Sequence, residues 1–211
     1  MKILLSLSLG LFLLNLNAQE DKDILAKKIL TELSEKTKTY KSMQIDFKLT
    51  VKSKEINETQ SGTAQTKGTK FHYSTEDREV FCDGQTVWSY IEEDNECYID
   101  DAEEVSEFNP SEIMTIWDKN FKHQYVKEVS TGSNVHQIKL FPSNPKESKY
   151  HTVVLTTDRD KKEIKKVIIK QKDGVTLIFS INKFIANAEI NDTIFKWQKA
   201  KHPGVTEEDN R

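Results

Sequence analysis

The residues of this chain that could do chemistry are five histidines, two cysteines and several acidic runs. His72, His123, His136, His151 and His202 stand too far apart to form the three- or four-residue helical pairs that zinc enzymes use. Alternation along strands could bring His136 near His151, a weak basis for a metal site. Cys82 and Cys97 lack C-x-x-C spacing, so zinc ligation and dithiol redox chemistry are not indicated. The carboxylates at Glu92-Glu93-Asp94 and Asp100-Asp101-Ala102-Glu103-Glu104 flank turns, as solvated charges do, although a hydrolytic carboxylate pair would draw on the same residue types. G-x-S-x-G, P-loop and H-E-x-x-H motifs are missing from the sequence. The expectation is a non-enzyme with no cofactor and no metal, with a secreted hydrolase on a β scaffold as the remote alternative.

Aromatic side chains are then the next candidates. Val80-Phe81-Cys82-Asp83-Gly84-Gln85-Thr86-Val87-Trp88-Ser89-Tyr90 places Asp-Gly between two β-forming runs, a strong hairpin signal. Phe47, Phe71, Tyr73, Phe81, Trp88, Tyr90 and Trp117 are all expected on inward faces, either as packed core or as the lining of an apolar pocket. If Asp83-Gly84 is the turn, Cys82 opposes Gln85 and shares a face with Val80 and Val87. A following turn at Glu93-Asp94 sets Cys97 opposite Tyr90, on the other face. The two sulfurs are then expected two strands apart and unbridged.

The elements that must position these residues follow from periodicity. Met1-Lys2, the apolar run Ile3 to Leu14 and the small residue Ala18 read as an export signal over residues 1–18, leaving one domain over 19–211. A formal net charge of −3 with interleaved signs gives no nucleic-acid footprint. Ile24, Leu25, Ile29, Leu30 and Leu33 trace one face of a helix between Glu20 and Lys38. Ile45, Phe47, Leu49 and Val51 alternate with polar residues as a half-buried strand. Further strands are expected over Gly62–Lys67, around Phe71 and Tyr73, at Glu96–Ile99, Tyr125–Val129, Val135–Phe141, Tyr150–Thr157, Ile164–Gln171, Val175–Ile185 and Thr193–Trp197. Such a run without crossover helices is an antiparallel meander. One insert interrupts it: Asn109 can cap and Pro110 can open a short apolar helix reaching about Lys119, carrying Ile113, Met114, Ile116 and Trp117. It is either a plug or a lid.

The hairpin from Cys82 to Tyr90 resembles the D-G-x-x-x-W-x-Y hairpin of the LolA family of periplasmic outer-membrane lipoprotein carriers. Asn109-Pro110 with Ile113 and Met114 resembles that family's lid insert, and Ile194-Phe195 with Pro203-Gly204-Val205 resembles its closing segment. The resemblance implies a mainly β fold, an incomplete, strongly curved antiparallel half-barrel with an N-terminal helix and a helical insert as lid over a hydrophobic cavity. It implies an acyl-chain site at Phe47, Leu49, Phe71, Tyr73, Phe81, Trp88, Tyr90, Ile113, Met114, Ile116 and Trp117, with Phe71 aligned to a phenylalanine tied to cargo delivery. The family latches its lid with an arginine. Here Lys67-Gly68-Thr69-Lys70 stands in that region, so Lys67 or Lys70 is expected as latch, a point charge in place of a planar fork. Implied partners are acylated lipoproteins, an inner-membrane ABC-type release complex and an outer-membrane acceptor protein or membrane surface, served by a periplasmic monomer. The alternative is a periplasmic binding protein or sensor for another amphiphile, such as a glycolipid or a mislocalised lipoprotein.

Overall fold

Alternating β-branched and aromatic residues build almost everything in this molecule, and one seam organises it. The computed structural model describes residues 23–103, 110–118, 120–126 and 134–211. A first meander holds β1 (Met43–Lys52), β2 (Asn57–Lys67), β3 (Lys70–Ser74), β4 (Arg78–Cys82), β5 (Thr86–Ile91) and β6 (Glu96–Asp101). A second holds β7 (Phe121–Tyr125), β8 (Val135–Pro142), β9 (Tyr150–Asp158), β10 (Glu163–Gln171) and β11 (Thr176–Ala186). β1 pairs with β2 on one side and with β11 on the other, which fuses the meanders into one sheet. The final strand β12 (Thr206–Asp209) runs parallel to β6, so the order is β12-β6-β5-β4-β3-β2-β1-β11-β10-β9-β8-β7. Its two end strands, β12 and β7, do not meet: the sheet is open and curved, the half-barrel expected.

Bulges help to bend it. Asp46 faces Lys183 while Phe47 faces Ile181, so Asn182 is an extra residue in β11. A bulge increases local twist and switches which side chains face inward. Before it, Leu177, Phe179 and Ile181 face in; after it Phe184 does, packing on the core, while Ile185 is turned out to 36% exposure. A second bulge falls between Ile164 and Lys166 in β10.

The helix α1, residues 23–37, lies on the concave side. Ala26, Leu30 and Leu33 are its buried contacts, with Ile29 half-buried. Burying a leucine contributes ~1.5–3 kcal/mol. Ile24 and Leu25, expected on that face, are exposed, because Ala26 sets the inward stripe one position further on. The insert is shorter and more broken than expected: a single turn α2 (Pro110–Ile113) followed by a 3-10 turn Ile116–Asp118. Thr193–Trp197, expected as a strand, is overlapped by the 3-10 turn Asp192–Phe195, capped by Asn191, whose side chain accepts from the Thr193 amide. The strand expected over Tyr125–Val129 runs earlier, over Phe121–Tyr125. The signal segment, the Asn109 cap and residues 127–129 lie outside the described residues.

The opening hairpin also differs in detail. Its central residues are Gly84-Gln85, not Asp83-Gly84: the Asp83 amide donates to the Thr86 carbonyl at 3.3 Å, and Cys82 faces Val87. Asp83 instead caps the turn, Oδ1 accepting from the Gln85 and Thr86 amides at 3.0 Å each. Gly84 takes φ +101°, the positive value a glycine-first turn needs. The shift keeps strand parity, so Cys82 still shares a face with Val80 and Val87, Tyr90 still faces Cys97, and both thiols are free.

Candidate functional site

Side-chain parity along β1 generates a chamber. Ile45, Phe47, Leu49 and Val51 face into the concavity; Ile45 is buried, and the other three, nearer the β1–β2 turn, are half-buried. Ala64 and Tyr73 form the wall on one side, Val167, Phe179 and Ile181 on the other. Pro110, Ile113 and Met114 close it from above. Its volume is about 320 Å³, within the ~300–1,000 Å³ of small-molecule sites. Glu58, Gln60, Thr75, Asp77 and Arg78 ring the wall with polar groups. Asp77 accepts from the Thr75 hydroxyl at 2.8 Å, which holds its carboxyl below the usual range. Burial pushes the Tyr73 hydroxyl up, against the opposing influence of Arg78.

Gly62 is a requirement of this wall. It faces Phe47 across the β1–β2 ladder. A Cβ there would stand 2.5 Å from the Phe47 ring and 2.7 Å from the Ser74 carbonyl oxygen. The missing side chain lets the ring lie down on β2, in tilted contact with Phe179 at 6.4 Å.

The insert is anchored from α1. Trp117 Nε1 donates to Ser34 Oγ at 2.8 Å, and Ser34 in turn donates to the Asp118 carboxylate. Ser34 and Trp117 are buried, while Asp118 is exposed. A hydroxyl on the apolar side of a helix therefore fixes the roof.

The expected site residues divide into three groups. Phe47, Leu49, Tyr73, Ile113 and Met114 line the chamber. Phe71 is on the same face but sits one step away, stacked on Tyr73 at 6.4 Å and packed with Val80, Cys82 and Val87. Ile116 borders a second hollow beyond the insert, and Trp117 turns toward α1. Phe81, Trp88 and Tyr90, expected to point inward, face the opposite way. Phe71 pairs with Cys82 and Tyr73 with Val80, so that set faces in and the intervening Phe81 must face out; Trp88 is its partner on β5. These aromatics lie on the convex face under the C-terminal segment. Trp197 meets Phe81 at 5.6 Å and Tyr90 at 5.4 Å, and His202 stacks on Trp197 at 4.2 Å. Cys97 packs there with Ile99, Val205 and Trp88.

Lys67 and Lys70 are not placed as a lid latch either. Both ammonium groups bond Asp192, each at 2.6 Å, tying the β2–β3 turn to the C-terminal segment. The pair holds the Asp192 carboxyl down to about 2.

Catalytic geometry finds little among the described residues. His136 faces Thr157 on β9, so His151 lies six positions along that strand from it. His136 bonds the Tyr125 hydroxyl at 3.2 Å, and burial lowers its pKa. Among the described residues, three or more metal-ligating side chains do not come together, and no helix is long and apolar enough to cross a membrane.

Sequence reasoning missed Ile45, Val51, Gly62, Ala64, Val167, Phe179, Ile181 and Ser34. Ile45 and Val51 carried their signal openly, in the same alternation as Phe47. The β10 and β11 residues became visible only through the seam with β1.

Comparison with known proteins agrees with this architecture. A family described as "Outer membrane lipoprotein carrier protein LolA" matches residues 38–198. An uncharacterised conserved protein from Thermus thermophilus superposes with a TM-score of 0.57 at 10% identity, over 88% of this chain and 99% of that one. More distantly, a LolA superfamily protein from Nitrosomonas europaea gives 0.44 at 10% identity, over 82% of this chain and 97% of that one. No curated protein sequence matches. The family match spans β1 to β11, the insert and the chamber they enclose, and the chain belongs to the LolA family.

Proposed function

We propose that this chain is an exported, non-enzymatic carrier that shelters the acyl chains of lipoproteins between the inner and the outer membrane. The observation that carries the reading is the roofed chamber on β1, whose floor of Ile45, Phe47, Leu49, Val51, Val167, Phe179 and Ile181 is apolar. Lipid tails need no directional hydrogen bond. Each methylene moved from water contributes ~0.8 kcal/mol, so a chain of about fifteen is worth ~12 kcal/mol. Affinity on that scale would trap the cargo unless a second state binds it less well. A roof hung on α1 by Ser34 supplies such a state when it swings away. Cargo would come from an ABC-type release complex and pass to an acceptor at the outer membrane. The apolar run at the N-terminus of the sequence supports export.

Incubation with spheroplasts tests the reading. A lipoprotein released into a soluble complex with the purified carrier is the expected result, and none released overturns it. Native mass spectrometry of protein taken from its own periplasm identifies the cargo by mass; a glycolipid there would replace lipoproteins by another amphiphile on the same fold.

A further inference from the structure

The two faces of the sheet differ in kind at the seam. On β1, Leu49 and Val51 point into the chamber, while Lys48, Thr50 and Lys52 point the other way. On β10, Val167 points in, while Lys166, Ile168 and Lys170 point out. Register joins these outward residues across β11. Lys48 and Lys166 both face Ser180, Lys52 and Lys170 both face Thr176, and Thr50 and Ile168 both face Ile178. Neighbouring strands lie ~4.8 Å apart and rise ~3.3 Å per residue. Four lysines therefore stand at the corners of a rectangle of about 10 by 13 Å, with Ile178 at its centre. The row through Ile178 runs on over Ile168 and Val154 to Lys139 on β8. The corner lysines are exposed, and Ile168 and Ile178 are half-buried.

No carboxylate interrupts this grid. The adjoining outward positions, Asn57, Thr59 and Ser61 on β2 and Thr152 and Thr156 on β9, are uncharged. The outward residue before Lys48 is Asp46, which faces a lysine of its own, Lys183. Elsewhere lysines find carboxylates, as Lys36 does Glu163 and Lys165 does Asp158. Among the described residues, the four corner lysines have no such partner. A chain of net charge −3 has no surplus of lysine to scatter, so their gathering on one face is an asymmetry of the fold. Lysines often guard the edges of sheets, but β1, β11 and β10 are central strands. The C-terminal segment covers the other half of this convex face, over Phe81 and Tyr90.

We infer that the convex face of β1, β11 and β10 is a docking surface for an anionic phospholipid bilayer. Lysine is a compact point charge that responds to charge density and lacks the planar fork that reads a single carboxylate or phosphate. Protein-binding patches gather Trp, Tyr, Met and Arg and are poor in lysine. The rectangle and the row through it carry none of those four types. Docking here lays the sheet on the bilayer and turns the chamber roof away from it, where another protein can reach it. The inference stands apart from the carrier reading, because patch and chamber occupy opposite faces of the same strands.

Flotation with lipid vesicles tests it. The purified chain should float with phosphatidylglycerol vesicles at ~0.01 M salt, where the Debye length is ~30 Å, and detach at ~1 M, where it is ~3 Å. It should not float with pure phosphatidylcholine. Each lysine near an anionic surface strengthens partitioning about 5-fold, so Lys48→Gln combined with Lys166→Gln should weaken binding about 25-fold. Lys27→Gln combined with Lys38→Gln makes the same charge change at exposed positions of α1 and should stay within about twofold of wild type. Phe47→Glu, which alters the chamber alone, should float as the wild type does. Equal flotation on neutral vesicles, equal loss in the two lysine pairs, or loss in Phe47→Glu overturns the inference. Salt-sensitive binding to polyglutamate without binding to vesicles assigns the face to an acidic protein and also overturns it. A chain that binds fatty acid in its chamber and still fails to float with anionic vesicles overturns this inference alone and leaves the carrier reading standing.

Discussion

Replacing Ser34 by alanine tests whether the roof is held as the geometry indicates. The hydroxyl accepts from the buried Trp117 indole and donates to Asp118. Asp118 is exposed and regains water when the bond is lost, so its share is small. The indole N–H is different: Trp117 is 5% exposed, and a stranded buried donor costs ~1–3 kcal/mol. That energy bears on the docked insert more than on the sheet beneath it. The docked-to-undocked ratio should fall about 5- to 150-fold. Hydrogen exchange of the hydrogen-bonded amides of Met114, Thr115 and Asp118 should quicken by that factor, while the β9 and β10 amides stay protected. A double-mutant cycle isolates the cause. In a Trp117→Phe background the donor is gone, and Ser34→Ala should cost no more than ~0.5 kcal/mol. Equal exchange in Ser34→Ala and wild type, or an undiminished effect in the Trp117→Phe background, would refute the reasoning.

Three further outcomes follow from other parts of the molecule. Phe47→Glu should abolish binding of a fluorescent fatty acid in a folded protein, whereas Trp88→Glu should loosen the C-terminal segment and lower the urea midpoint; the reverse pattern would mean the sheet faces are wrongly assigned. Asp192 is held at about 2 by hydrogen bonds from Lys67 and then Lys70, below the ordinary ~3.9 of an aspartate. Its contribution to stability is therefore present above ~3.9 and lost as pH falls through the folded value, so the difference in urea midpoint between wild type and Asp192→Asn should shrink between about pH 4 and pH 2; a difference that persists at the acid end counts against the pairing. Burial, with Glu207 nearby, pushes the Cys97 thiol up to about 12, so Ellman's reagent at pH 8 should leave it unmodified in folded protein and react once the chain is unfolded in urea.

Much of the architecture was legible because strand periodicity is a local property. Ile45 to Val51 announced a half-buried strand, and Asp83-Gly84 announced a hairpin even though the turn centre proved to be Gly84-Gln85. The placement of the aromatics was not legible from residue type. Phe81, Trp88 and Tyr90 are as apolar as Phe71 and Tyr73, and a sheet covered on both faces buries aromatics on both. Only parity carried across the β3–β4 turn separates the sets, and the turn following Ser74 gave no strong signal of its length. Ser34 escaped because a lone serine in a helix usually means solvent. The lysines at 67 and 70 were misplaced for another reason: their partner Asp192 lies far along the chain, immediately before a segment expected to be a strand.

The seam between β1 and β11 has a kinetic meaning as well. Hairpins of the meanders close over a few residues, but Lys52 meets Thr176 and Met43 meets Ala186 across most of the chain. Loop-closure entropy must be met before such pairing returns anything, which makes it slow. The chamber floor consists of this seam and its neighbours, so it exists only after the longest-range contact has formed. A nascent or partly exported chain would carry both meanders and still have nowhere to put a lipid. Cargo binding would then report the completion of folding, and bound lipid would resist unfolding at the seam that forms last.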